Sequence, residues 1–227
     1  MQPSGPAKRG YHHGDLRNAL VEAAAQLAEE GGPQAVTVRA AARAAGVTPT
    51  AAYRHFENQE QLLTAAKECA MDGLASTMQE FIDAMPPIDD PVRLAMSTLG
   101  AIARGYVYFA MTEAGLFRTA FEQGGTILEG TTLAKVDSGF QMLVQGLDKL
   151  VEVGHLSAEH RPLAEITAWS AAHGFAMLVI DGPMHDWPPD MLNDALERML
   201  GIFVRGLTSE GADDQLTAHV LADTRRG

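Results

Sequence analysis

The side chains best suited to specific chemistry lie in one run, residues 37–56, which reads Thr-Val-Arg-Ala-Ala-Ala-Arg-Ala-Ala-Gly-Val-Thr-Pro-Thr-Ala-Ala-Tyr-Arg-His-Phe. Thr37 is placed to cap a short Ala-rich helix that ends at Ala45. Gly46 permits a tight turn, and Val47 is an apolar pin for it. Thr48 caps a second short helix with Pro49 at its first position, where the missing N–H does no harm; this helix is expected over Pro49–His55. Alanine on the facing sides lets two such helices pack closely. Small polar residues at the second helix's start, which Thr48, Pro49 and Thr50 supply, suit entry into a DNA major groove about 12 Å wide, with Pro49 the apolar member. The free N–H groups and dipole of a helix N-terminus also attract phosphate. Tyr53 and His55 can donate hydrogen bonds to phosphate oxygens, and Arg39 can reach a phosphate or a guanine edge. The chemistry is recognition rather than turnover. Two readings stay open: Thr48 as base reader or as cap alone, and Tyr53 as phosphate donor or as a half-buried core residue.

Other reactive groups are sparse. Cys69 is the single cysteine, so it has no intramolecular disulfide partner, and it reads as a small buried helix residue. His12 and His13 are adjacent, which is poor geometry for chelation, and His155 and His160 miss the i, i+4 spacing of helical metal ligands. The sequence contains no Gly-x-Ser-x-Gly, Walker A loop, Rossmann glycine pattern or His-Glu-x-x-His. No catalytic residue, metal site or cofactor is expected.

The elements that must position the 37–56 run are helical. Leu16, Ala19, Leu20, Ala23, Ala24, Leu27 and Ala28 recur at helical spacing from about Asp15 to Glu30, and Gly31-Gly32-Pro33 stops that helix. Asn58 and Gln61 have capping-box spacing and open a longer helix through about Phe81. Pro86-Pro87 to Pro91 is the clearest break. Further helices are expected over about 91–111, 114–122, 131–153, 160–181 and 189–207, with Pro162 and Pro189 in first turns. No period-2 run predicts a strand. The fold class is all-α. Residues 1–11 read as a flexible basic arm, 12–60 as a helix-turn-helix domain, 61–208 as a helical ligand-binding and dimerisation domain, and 209–227 as a flexible tail.

The net charge of -12 argues against a polyanionic partner until its distribution is examined. Residues 1–70 hold seven of the seventeen Lys/Arg and seven of the twenty-nine Asp/Glu. The N-terminal part is therefore neutral and the remainder carries the whole excess of acid. Only the N-terminal part is electrostatically suited to nucleic acid. No apolar run reaches the ~18 residues of a membrane span, and the start lacks a signal-peptide core, so the expected location is cytoplasmic with no membrane partner.

In the acidic part, Met96, Tyr106, Phe109, Phe117, Met142, Trp169, His173 and Met177 combine aromatic rings, thioethers and a few polar tips. Each can be plain core, but as a set they suit an adaptable cavity for a small-molecule effector. Trp169 and His173 are either pocket residues or structural ones. The helices near 160–181 and 189–207 are too apolar to bury in one layer, and a two-fold four-helix bundle between subunits would cover both.

The 37–56 run, with Asn58-Gln59-Glu60-Gln61-Leu62-Leu63 after it, resembles the TetR family of transcriptional regulators. Arg9-Gly10-Tyr11-His12-His13-Gly14-Asp15-Leu16-Arg17 resembles one branch of that family, whose C-terminal domain carries Trp followed four and five residues later by His-Gly; Trp169, His173 and Gly174 fit that pattern. The resemblance implies about nine helices and a homodimeric repressor that binds a palindromic double-stranded operator. Its third helix would enter the major groove, and a ligand in the C-terminal domain would release it. By residue match, Thr37, Arg39, Thr48, Thr50, Tyr53 and His55 fall where family members contact DNA. Members often carry Lys where this chain has Gln59, which removes one charge contact and predicts weaker or less salt-sensitive binding.

Overall fold

A computed structural model of the chain describes residues 13–122 and 138–207. Among these there are nine α-helices and no strand: α1 His13–Gly31, α2 Val38–Ala44, α3 Pro49–Ala52, α4 Gln59–Asp83, α5 Pro91–Thr112, α6 Ala114–Ala120, α7 Ser138–Glu152, α8 Ala164–Ile180 and α9 Pro189–Leu207. A 3-10 turn, Pro33–Ala35, follows α1. The expected arm and tail, and the first residues of the helix expected at 131–153, lie outside the described residues.

Local signals set most boundaries. The Ala40 N–H donates to Thr37 Oγ1 at 3.1 Å and the Ala51 N–H to Thr48 Oγ1 at 3.3 Å, each satisfying an N–H that the helix itself leaves open. At α4 the Gln61 N–H donates to Asn58 Oδ1 at 2.9 Å, while Gln61 Oε1 accepts from the Glu57 N–H at 3.0 Å. This is a capping box whose return bond lands one residue earlier than usual. The helix expected over Pro49–His55 is regular only to Ala52, because Arg54 and His55 close i→i+3 bonds onto Ala51 and Ala52 and tighten the end into a turn.

Two helices start or end differently from the sequence expectation for tertiary reasons. α8 begins at Ala164 rather than near 160, because Leu163 adopts a left-handed backbone (φ 63°) just after Pro162. Arg161, immediately before, is tied by its Nε to Asp148 Oδ1 of α7 at 2.8 Å and by a second nitrogen to Glu165 of α8. The segment expected as a helix to residue 122 ends at Ala120.

The described residues form two compact units, which do not follow a linear division at residue 60. Residues 13–73 and 113–122 form one. Its core centres on Leu20, Ala24, Val36, Ala42, Phe56 and Leu62, all at most 1% exposed. α6 belongs here because Gly115 lies against the Ala28 and Glu29 carbonyls of α1, an approach no Cβ permits. Truncating Phe56 in such a core costs about 3–5 kcal/mol. Residues 74–112 and 138–207 form the second unit, in which α5 packs on α7 and α8. Val107, Phe175, Val179, Leu192 and Leu196 form one part of its core. Gly105 of α5 lets the Met78 backbone of α4 approach to 2.7 Å from where a Cβ would stand.

Candidate nucleic-acid interface and ligand cavity

The helix-turn-helix is built by the turn after α2. Gly46 has φ 69°, a conformation that costs other residues about 1–2 kcal/mol. With Gly46 in that state, the Val47 N–H donates to the Ala42 carbonyl at 2.9 Å and the Gly46 N–H to the Arg43 carbonyl at 3.2 Å. This pair of bonds closes the helix end as a Schellman motif. Val47 packs against the core, while Ala41, Ala42 and Ala52 are fully buried, so α2 and α3 meet through methyl groups. Arg17 of α1 covers Phe56, with its guanidinium carbon 5.2 Å from the ring centroid.

This packing leaves outside five of the seven residues selected from the sequence. Arg39, Thr48, Pro49, Thr50 and Tyr53 are exposed, Tyr53 at 43%, whereas Thr37 and His55 are half-buried. Tyr53 is therefore a surface residue at the end of α3, where its N–H still bonds the Pro49 carbonyl at 2.9 Å. Thr48 is a cap in fact. A hydroxyl has one donor and two acceptor positions, so capping uses one of three. Arg43 and Arg54 are exposed as well. Sequence reasoning counted them as charges without assigning them a role; they are cations on the same two-helix motif. Exposed Gln59 is the first residue of α4.

Cys69 is exposed, not buried as its type suggested. Desolvation, with smaller contributions from Asp72 and Glu22, pushes its thiol above the usual range, so it is a poor nucleophile.

The second unit contains an apolar cavity of about 60 Å³ between α4, α5, α7, α8 and α9. Of the eight residues selected from the sequence, Met96, Tyr106 and Trp169 line it. Phe109, Met142 and Met177 do not line it, and Phe117 is buried in the other unit beside Phe121, at 4.9 Å between ring centroids. His173 stands behind the wall. Trp169 Nε1 donates to the Tyr106 hydroxyl at 3.2 Å, and that hydroxyl lies 2.8 Å from His173 Nδ1. The tyrosine hydroxyl, while accepting from tryptophan, keeps one donor and one acceptor position for His173 Nδ1, so it can bond either tautomer of the ring. Burial lowers the His173 pKa, which favours the neutral ring. Lining residues missed from the sequence include Met78, Gly100, Phe140, Met199 and Phe203. The signal that could have found those on α5 is the i, i+3, i+4 series Met96, Leu99, Gly100, Ala103, a single helix face.

A helix-turn-helix within an all-α chain is an architecture of DNA-binding regulators. Residues 20–66 match the family described as bacterial regulatory proteins, tetR family, and residues 99–203 match the tetracyclin repressor-like C-terminal domain. The chain belongs to the TetR family of bacterial regulatory proteins. Members are transcription regulators rather than enzymes, in line with the lack of a catalytic motif. The HTH-type transcriptional repressor KstR2 of Mycolicibacterium smegmatis is 32% identical over 101 residues, which cover 44% of this chain and 46% of that repressor, so the match spans about half of the relative's length. Among solved structures, a protein of unknown function from Rhodococcus sp. RHA1 aligns with TM-score 0.70 and 23% identity, covering 89% of this chain and 100% of that one. FadR from Bacillus subtilis in complex with stearoyl-CoA aligns with TM-score 0.59 and 18% identity, covering 83% and 98%. These structural likenesses concern the fold.

Proposed function

We propose that this protein is a homodimeric transcriptional repressor that reads a palindromic operator with α3 and is released by a small molecule bound in its C-terminal unit. The observation that carries the DNA reading is the capped helix pair α2–α3, which buries its alanines and leaves Arg39, Thr48, Thr50 and Tyr53 outside. Residues 13–73 with 113–122 then act as the reading domain, and 74–112 with 138–207 as the ligand and dimer domain. Such a protein works in the cytoplasm, where the operator is.

Dimerisation is supported by α8, which has no charged residue between Glu165 and Asp181, yet exposes Ile166, Ser170, Gly174 and Leu178 at spacing four. A helix apolar all round is normally buried on every side. On α9, Ile202 is 66% exposed. A second copy of the same two helices would cover these surfaces about a two-fold axis.

The test is retardation of DNA flanking the coding region, over a series of salt concentrations. Binding is expected to weaken as salt rises, with the shallow slope that few phosphate contacts give. Thr50→Ala and Tyr53→Phe, which remove one exposed contact each, are expected to weaken it about tenfold with unchanged thermal stability. Unaltered binding by both variants would overturn the assignment of α3.

A further inference from the structure

The cavity in the second unit has two unusual properties together. Among the described residues none that lines it is charged, and its polar tips are already engaged: Trp169 Nε1 donates to Tyr106 Oη, which also bonds His173 Nδ1. It is also bordered by a glycine that packing does not explain. Gly105 and Gly146 have a neighbour 2.7 Å from the place of a Cβ, so backbone and side-chain packing exclude anything larger there. Gly100, in the middle of α5 with nothing within 4 Å of its Cβ position, faces the cavity instead. A glycine inside a helix weakens it relative to alanine, and here no neighbour compensates.

We infer that the space beside Gly100 holds an uncharged, predominantly hydrocarbon effector, one that asks the cavity for shape rather than for a charge partner. This rests on the reading of the C-terminal unit as a ligand domain and specifies its ligand. An ionised head group placed among these side chains would find no counter-charge on the described lining residues, and burying it would cost far more than the hydrocarbon gains. The void of about 60 Å³ is smaller than the ~150 Å³ that admits benzene in an apolar cavity. Binding therefore displaces side chains, and the flexible thioethers of Met78, Met96 and Met199 are the ones that move most readily.

The experiment uses three probes of equal chain length, 1-octanol, octanoate and octylammonium, titrated calorimetrically into the full-length protein. Octanol is expected to bind saturably, with the two ions at least tenfold weaker. Gly100→Leu, whose side chain enters the cavity, is expected to weaken octanol at least tenfold. Gly100→Ala guards against a folding failure of the larger variant: it is expected to raise the melting temperature by about 2 °C and to weaken octanol several-fold. Equal or tighter binding of either ion, octanol binding unchanged in both variants, or no octanol binding at all would overturn the inference. DNA retardation with the same samples separates the two readings. Release of DNA by octanoate but not octanol would refute the ligand class and leave a ligand-responsive regulator. Failure to retard DNA would refute the regulator, while the titrations still decide the occupant of the cavity.

Discussion

Thr48 shows how one hydroxyl can serve folding and recognition, and how the two can be separated. Its oxygen accepts from the Ala51 N–H at 3.3 Å, so Thr48→Ala is expected to cost about 1 kcal/mol of stability whatever the residue does to DNA. Thr48→Asp is more informative. Aspartate caps at least as well as threonine and favours the helix dipole, so the melting temperature is expected to hold or rise. A carboxylate at the start of α3 would meet phosphate, and operator affinity is expected to fall at least tenfold. Full affinity in the aspartate variant would reduce Thr48 to a cap. His173 carries a second residue-scale prediction. Burial lowers its pKa from the ordinary 6.5, so the native ring is neutral where the unfolded ring begins to protonate. Below about pH 6.5 the unfolded chain binds more protons, and stability falls as pH drops toward the native value. His173→Gln is expected to be less stable at neutral pH, because the hydrogen bond to Tyr106 is altered. It is also expected to lose less stability between pH 7 and pH 5 than the parent. Equal loss in both proteins, measured by thermal melts across that range, would show that other groups carry the acid sensitivity.

The elements divide by how local their causes are. Thr37, Thr48 and Asn58 each cap a helix through an atom three residues away, and Gly46 ends α2 through bonds that reach back no further than Ala42. Such signals sit within one turn of the boundary they set, so a sequence displays them. The start of α8 is different. Pro162 reads as a first-turn proline, but the left-handed Leu163 and the anchoring of Arg161 to Asp148 of α7 delay the helix to Ala164. That tie spans thirteen residues and a separate helix. The same holds for the cavity. Phe109 and Met177 have the right chemistry, but membership depends on which helix face meets which neighbour. Phe117 went to the other unit because Gly115 brings α6 against α1. Gly46 offers an element-scale test. A Cβ there would meet nothing within 4 Å, so Gly46→Ala carries no clash and pays only for its backbone state, φ 69°. The expected loss is about 1 kcal/mol. Because the turn orients α3, operator affinity at a temperature where the variant remains folded is expected to fall as well. A variant as stable as the parent would mean the turn relaxes to another conformation.

At the scale of the whole molecule, a chain of net charge -12 must bind a polyanion through a head with few cations. Among the exposed residues of α2, α3 and their flanks these are Arg39, Arg43 and Arg54. Each phosphate neutralised contributes about -0.9 to the slope of log affinity against log salt, so a small number of contacts gives a shallow slope. Gln59, exposed at the first position of α4, is the place to add one. If the protein binds as a dimer with both heads on the operator, Gln59→Lys adds two contacts at once. The slope is then expected to steepen by about 1.8, with tighter binding at low salt. A change of about 0.9 would mean that one head engages, and no change would mean that the N-terminus of α4 does not face phosphate. The companion measurement is mass in solution, expected at twice the 24.3 kDa of the chain. Ile202→Glu, which puts a charge on the exposed apolar position of α9, is expected to halve that mass. Its reading heads would then bind independently, and the added slope from Gln59→Lys in the Ile202→Glu background is expected to drop to about 0.9 per bound chain. A double variant that keeps the full 1.8 would place the dimer interface elsewhere.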